Sequence, residues 1–340
     1  MFRLLGLLLT VLYAIAAAVV VWPQFFRLEQ TFPFAQLVAV RGVLLIAFAV
    51  IGVLSLLLMI ARPLRGFAAS LLVISIVAGG AIGVIGGLRG VAEGSLPAKT
   101  EDSVRVMTWN TRGEAASADT IAREAVAQKA DIVTLPETAD GVGERIAVLM
   151  RESGRPMWVH NVNIRPDVKN GPQAWQTTVL ISPKLGDYSV IKSSSDGSSN
   201  TKSVPSVVAM PVDGHGPTVV AVHAVAPRQD AMERWRTDLQ WIADQCPKGD
   251  FILAGDFNAT IDHMARLGVA GGDMGRCQDV ATRTGTGMWG TWPSSIPALL
   301  SAPIDHIMAS ANWTPTGSLV IDDAAGSDHR AFVAQLEPTR

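Results

Sequence analysis

The fold class this 340-residue sequence predicts is a strand-rich α/β domain, two facing sheets flanked by helices, carried behind three apolar helices. Three observations predict it. Residues 1–90 hold three long uncharged apolar stretches. Beyond residue 103, short apolar runs recur with a few amphipathic helical patterns between them. Several of these runs stop at a Glu, His or Asp, and turns have no need of Glu or His.

The apolar stretches are residues 4–21, 42–61 and 66–88, each long enough or nearly so to cross a bilayer as a helix. Trp22-Pro23 closes the first, and Arg62-Pro63-Leu64-Arg65 is a tight basic hairpin between the second and third. The first could instead be a signal peptide opening at Met1-Phe2-Arg3, but no small-residue cleavage site precedes Trp22 and the next two spans anchor the chain regardless. Arg3, Arg62 and Arg65 favour a cytoplasmic N-terminus and an external C-terminal domain, and Arg27, Arg41 and Arg89 count against it. Cys246 and Cys277 would form a disulfide in an exported domain and remain two buried thiols in the cytoplasm. Gly79, Gly83 and Gly87 permit close helix contact. The spans contain no carboxylate or histidine, which removes the groups an ion or proton path would use.

The expected organisation is a membrane domain at 1–90, a Gly-, Pro- and Ser-containing linker at 91–103 and a folded domain at 104–340. Within that domain, strands are expected at 104–109, 131–135, 157–162, 177–182, 188–192, 204–212, 218–223, 304–309, 319–322 and 330–336. Helices are expected at 119–130, 141–153 and 230–245, and residues 193–200 read as a solvated loop. The run 251–258, FILAGDFN, is a buried strand ending at Gly255-Asp256-Phe257-Asn258. Alternation puts Asp256 and Asn258 on one side, where they can share a ligand. An isolated Asp-x-Asn more often satisfies a turn, so the rest of the chain must decide.

Polar residues close six such runs at their C-terminal ends: Asn110, Glu137, His223, Asp256 with Asn258, Asp305 with His306, and Asp328 with His329. Asn110, Glu137 and Asp256 offer hard oxygen ligands suited to Mg²⁺ or Mn²⁺, whereas Cys and paired His at zinc spacing are absent. His223 and His329 can move protons, and Asp305 or Asp328 can fix a histidine tautomer. His306 should point away from Asp305 and act structurally, and His160, His215 and His263 show no partner pattern. Most tryptophans are expected in the core. Trp289 and Trp292, in a loop-like stretch, are expected to touch substrate.

The pieces TWN (Asn110), LPET (Glu137), VVAVHA (His223), LAGDFN (Asp256, Asn258), PIDHI (Asp305) and SDH (Asp328, His329) resemble, in order, the endonuclease/exonuclease/phosphatase superfamily. These are divalent-metal phosphoesterases that include pancreatic-type deoxyribonuclease, abasic-site endonucleases, inositol polyphosphate phosphatases and neutral sphingomyelinases. The resemblance covers residues 104–336 and implies a four-layer α/β sandwich. It also implies that Glu137 holds Mg²⁺ (or Mn²⁺) with Asn110 close by and Asp328 near the metal. Asp256 would orient or activate the attacking water, Asn258 would bind phosphoryl oxygens, Asp305 and His329 would act as a relay-like pair, and His223 would donate to the phosphate or leaving group. The sequence departs from the pattern at Pro136, where many relatives have glutamine, and at Ala331, where proline often follows. With only Tyr13 and Tyr188 present, the phosphate-contacting tyrosine of the nuclease branches has no counterpart.

Charge separates substrates. Beyond residue 100 there are 21 Lys and Arg against 28 Asp and Glu, a balance near −7, without the basic stripe that grips long nucleic acid. Arg228, Arg234 and Arg236 form at most a local patch near His223, Arg228 being the expected substrate contact. The expected function is a membrane-anchored, divalent-metal-dependent phosphodiesterase or phosphatase with its catalytic domain outside, acting on lipid head groups or envelope phosphoesters. An anchored nuclease for external DNA or RNA is the alternative. An inactive anchored binding module is disfavoured because every residue type the chemistry needs is present in order.

Overall fold

A computed structural model describes residues 2–169, 171–191 and 200–339. The chain forms two compact units, residues 1–88 and 89–340. In the first, α1 (Phe2–Val21), α2 (Phe34–Ala39), α3 (Arg41–Leu58) and α4 (Arg65–Arg89) follow one another. Helices α1, α3 and α4 are long and apolar enough to cross a membrane, matching the three expected spans. Their few hydroxyls are satisfied internally: Ser55 and Ser75 donate to the Ile51 and Leu71 carbonyls one turn back, and Tyr13 Oη lies 2.7 Å from Ser75 Oγ.

The second unit begins with β1 (Gly94–Ser95), β2 (Val104–Thr108), α5 (Ala118–Ala127), β3 (Ile132–Pro136), α6 (Asp140–Glu152), β4 (Trp158–Asn163) and β5 (Gln176–Ile181). It continues with β6 (Tyr188–Val190), β7 (Val207–Pro211), β8 (Thr218–His223), α7 (Met232–Asp244), β9 (Phe251–Asp256), β10 (Gln278–Asp279), β11 (Asp305–Ala309), β12 (Trp313–Ile321) and β13 (Ala331–Pro338). One sheet runs β1-β12-β13-β2-β3-β5-β4 and the other β10-β11-β9-β8-β7-β6. Between them lies an aliphatic core that includes Val106, Ile132, Val179 and Ala334 from the first sheet and Val219, Ala221, Ile252 and Ile307 from the second. On the outer face of the first sheet, Met107, Val133 and Leu180 pack against Ile121 and Ala125 of α5 and Ile146 and Met150 of α6. The outer-face residues of the second sheet, Val220, Val222 and Leu253, are fully buried, as are Trp235, Leu239 and Ile242 of α7. The four layers are helices, sheet, sheet, helix.

Most expected elements stand within two or three residues of their predicted ends. Strand β12 starts six residues before the expected 319, because Thr314, Pro315, Thr316 and Gly317 hide its apolar alternation, and a bulge lies between Pro315 and Gly317. Lys192, the end of one expected strand, and residues 193–199 of the expected loop lie outside the described residues. Residues 91–103, expected as a tether, are packed on the second unit. Gly94 and Ser95 pair with Leu319 and Ser318, Lys99 reaches Asp131, and Thr100 and Ser103 donate to Glu337. Two-residue strands carry no periodicity, which is why β1 and β10 leave no trace in the sequence pattern.

The topology creates the rim on which the polar residues gather. Strands β2 and β3 are parallel, as are β8 and β9, and each pair sits across the core from the other. Their C-terminal ends share one edge. Strands β11 and β13 run antiparallel to β9 and β2, so their N-terminal ends lie at that same edge. Asp305 and Asp328-His329 therefore open strands, rather than closing them as the sequence pattern implied. Gly255 is required beside this edge, since a Cβ there would lie 1.9 Å from the Val222 carbonyl oxygen of β8. Behind α7, Cys246 and Cys277 form a disulfide with Cα atoms 5.9 Å apart.

Candidate active site

Each site residue is placed by the strand it terminates or begins. Asn110 follows β2 and bridges two carboxylates, donating from Nδ2 to Glu137 Oε1 (3.3 Å) and Asp256 Oδ2 (3.0 Å). Glu137 follows β3 in a left-handed conformation, φ 59°, uncommon for a side-chain-bearing residue. Thr111 holds that turn: its hydroxyl donates to the Glu137 carbonyl (3.1 Å) and contacts the Thr138 hydroxyl (2.9 Å). Burial raises the Glu137 carboxyl above the usual carboxylate range, with Asn110 and His329 acting in the opposite direction.

Asp256 ends β9, opposite Asp305 at the start of β11 and beside His223 at the end of β8. Its Oδ1 accepts the Asn258 backbone N–H (2.8 Å), and its Oδ2 accepts the side-chain amides of Asn110 and Asn258 (3.2 Å). Burial, then the Asp305 charge, push the Asp256 carboxyl well above its ordinary value. Asn258, also left-handed at φ 47°, gives its side-chain amide to Asp256 and to the Ala224 carbonyl (2.9 Å). The side-chain amide expected to meet a phosphoryl oxygen is thus engaged by Asp256 and by the Ala224 carbonyl.

His329 Nδ1 lies 2.8 Å from Asp305 Oδ2, and its Nε2 lies 3.8 Å from Asp256 Oδ2. Burial alone would lower its pKa, but Asp305 and Asp256 raise it to about 9. His223 is the opposite case. Burial, reinforced by His329, lowers its pKa to about 3, and its Nε2 is 3.9 Å from Glu137 Oε1. One site therefore presents a cationic and a neutral imidazole at neutral pH.

Among the described residues, Asp256, Asp305 and His329 bring ligand-type atoms within 4.8 Å of one another, a cluster beside the expected trio of Asn110, Glu137 and Asp328. Within that cluster Asp305 and His329 are engaged with each other, which leaves Glu137 as the carboxylate bonded only through Asn110. Asp328 sits at the rim, accepting from Trp292 Nε1 (3.2 Å) and lying 3.8 Å from Arg112 Nε. Among the described residues, Asp305 Oδ1 and His223 Nδ1 are buried with no hydrogen-bond partner. Three buried or half-buried carboxylates converge with one protonated histidine, leaving excess negative charge and open oxygens. That donor set fits a hard divalent cation.

Residues 107–329 match the model of the Endonuclease/Exonuclease/phosphatase family. The chain belongs to this family. Members of the family are typically phosphoester-hydrolysing enzymes and generally use divalent metals. Among solved structures, a family protein from Beutenbergia cavernae DSM 12333 shares 18% identity at a TM-score of 0.53, over 70% of this chain and 72% of that one. The family protein from Bacteroides vulgatus gives 16% and 0.52, over 71% and 100%. The D. rerio TDP2 complexed with single strand DNA product gives 16% and 0.50, over 70% and 100%. At such identities the likeness establishes the fold. No curated protein matches the chain.

Against the family frame, the seven expected catalytic and metal residues on the inner rim, Asn110, Glu137, His223, Asp256, Asn258, Asp305 and His329, are brought together, with Asp328 at its edge. Trp292, 40% exposed, is at that edge too. Trp289 is not. Its ring packs on the core and its Nε1 donates to the Val91 carbonyl (3.0 Å). Arg228 is exposed and faces Asp230 at 4.0 Å. His306 is structural as expected, held by Asp279 Oδ1 and the Ala259 carbonyl, each at 2.9 Å. Sequence reasoning missed Arg112, the rim cation next to Asp328, and the braces Thr111 and Ser327, the latter donating to the Asn110 carbonyl (2.7 Å). Each stands within two residues of a motif position, so adjacency was the available signal.

Proposed function

We propose that this chain is a membrane-anchored phosphodiesterase or phosphatase that uses Mg²⁺ or Mn²⁺ and acts on phosphoesters at the outer face of the membrane. The observation that carries the reading is the convergence of Glu137, Asn110 and Asp256 with the Asp305–His329 pair on one sheet edge. Glu137 would hold the metal beside Asn110, with Asp328 contributing negative charge from the rim. When bound, the ion neutralises the phosphate and favours water attack. The chain's own groups do the rest. Asp256, held by Asn110 and Asn258, orients the water and takes its proton. His329, protonated and fixed by Asp305, lies across from Asp256 and gives its Nε2 proton to the departing oxygen. His223, neutral, donates a hydrogen bond to a phosphoryl oxygen as charge develops there.

The anchor and the balance near −7 beyond residue 100 favour lipid head groups or phosphorylated envelope intermediates over long nucleic acid. The Cys246–Cys277 disulfide and the basic 62–65 hairpin support an external catalytic unit. The test presents phospholipid vesicles, a water-soluble phosphomonoester and plasmid DNA, with Mg²⁺, to intact cells expressing the chain and to the detergent-solubilised chain. Turnover of lipid or monoester by intact cells, with DNA spared, is the expected outcome. Rapid DNA cutting would make the chain an anchored nuclease, and turnover only after solubilisation would place the site inside.

A further inference from the structure

The segment that enters the second unit is fastened to it along its whole length. The Arg89 guanidinium grips the buried Asp262 carboxylate through two hydrogen bonds (2.6 and 2.8 Å). The Arg89 and Gly90 carbonyls accept the Gly287 and Met288 N–H groups, each at 3.0 Å, and Ala92 N–H donates to the Gly285 carbonyl (3.0 Å). Val91 receives the Trp289 indole, and Gly94-Ser95 pairs with β12. At Gly90, φ +89°, a Cβ would lie 2.1 Å from Gly285. The strap and residues 285–289 thus run against each other backbone to backbone.

Two residues further along that loop is Thr291, buried, whose hydroxyl accepts the N–H groups of Ile304 (3.3 Å) and Asp305 (3.2 Å). Its carbonyl accepts the N–H of Arg330 (2.9 Å), the residue after His329. The buried Arg330 guanidinium then donates to the carbonyls of Pro293, Ser294 and Ile296 and to Ser301 Oγ, closing the loop that carries Trp292. Thr291 therefore sets the backbone position of both partners of the Asp305–His329 pair.

We propose that residues 89–95 are a positioning element of the active site, holding the 285–291 loop so that Thr291 keeps Asp305 and His329 in register. The kinetic part of this proposal rests on the hydrolase reading above. Trp289, which the sequence pattern pointed toward substrate, is on this view an anchor of the strap. A purely structural strap would lower stability while leaving the turnover of folded molecules intact. A positioning strap lowers kcat and leaves KM nearly unchanged, because small misplacements at a reacting centre cost up to about 100-fold in rate.

The experiment uses the full chain in detergent micelles with Mg²⁺ and bis(p-nitrophenyl) phosphate, comparing wild type with Arg89→Ala, Arg89→Lys, Gly90→Ala and Trp289→Phe. Gly90→Ala and Arg89→Ala are expected to reduce kcat by roughly 10- to 100-fold with little change in KM, and Arg89→Lys to restore part of it. Backbone hydrogen exchange is measured alongside, in peptides covering 285–292 and 303–306 and, as reference, β8 and β9. Faster exchange confined to the first two supports the proposal. Unchanged kcat in all four variants, or exchange at 303–306 that stays at the wild-type rate, overturns it. Should the wild type itself fail to turn over, the hydrolase reading falls and the exchange data still decide whether the strap holds Asp305.

Discussion

Asp256→Asn is expected to lower kcat by about 10³-fold or more while leaving the fold intact, within the range that loss of a general base produces. The substitution keeps the shape of the side chain and removes its ability to accept a proton. Its surroundings make the effect large: the carboxylate is buried, accepts three hydrogen bonds from Asn110 and Asn258, and lies 3.8 Å from His329 Nε2. It is also the group whose proton affinity burial and Asp305 raise most clearly toward neutrality, as a base working near pH 7 requires. Stability should fall modestly. The variant relieves the repulsion from Asp305, but it forfeits the attraction of His329 and turns an amide toward donors that need an acceptor, so the metal-free melting temperature should drop while the fold is kept. Circular dichroism melts beside initial rates check both halves, and wild-type turnover in Asp256→Asn would remove this residue from the mechanism.

The second large effect concerns the ion. Chelation should abolish turnover, and Mg²⁺ or Mn²⁺ should restore it. Glu137→Gln should raise the Mg²⁺ concentration for half-maximal rate by about 100-fold or more, the upper end of what loss of a supporting group already costs. Glu137 is singled out because it has a single, long hydrogen bond, from Asn110, whereas the other carboxylates are more heavily engaged. Asp305 is engaged by His329, Asp256 by two asparagines, and Asp328 by Trp292 and Arg112. Its left-handed backbone, braced by Thr111, presents the carboxylate into the rim. A rate titration with Mg²⁺ tests this, and an unchanged half-saturation point in Glu137→Gln would move the ion to the Asp256, Asp305 and His329 cluster instead.

How much of this was legible in the sequence differs from residue to residue. Runs such as 251–256 and 218–223 are apolar, bounded and followed by a polar residue, so strand, direction and functional end could be read together. The three spans were equally plain, because about twenty uncharged residues leave few alternatives. What periodicity cannot carry is pairing. The placement of Asp305 and His329 at strand starts, on an edge shared with the ends of β2 and β9, follows from antiparallel neighbours that no local pattern announces. Trp289 and Trp292 look alike in a loop, yet one seals the strap and the other opens onto Asp328. Residues 91–103 had the composition of a tether because strap contacts are made largely by backbone groups, which composition does not record. Asn258 shows the same limit on a smaller scale: its chemistry could be read from the motif, but the direction of its amide depended on the Ala224 carbonyl, just past the end of the neighbouring strand β8.

The central claim is that water, positioned by Asp256, attacks phosphorus at this rim. Hydrolysis of bis(p-nitrophenyl) phosphate by the full chain with Mg²⁺ in ¹⁸O-enriched water tests it most directly, with products read by mass spectrometry. The account predicts metal-dependent turnover that places the heavy oxygen in the phosphorus-containing product and none in p-nitrophenol. Label in the phenol, or no turnover in the presence of Mg²⁺ or Mn²⁺, would contradict it.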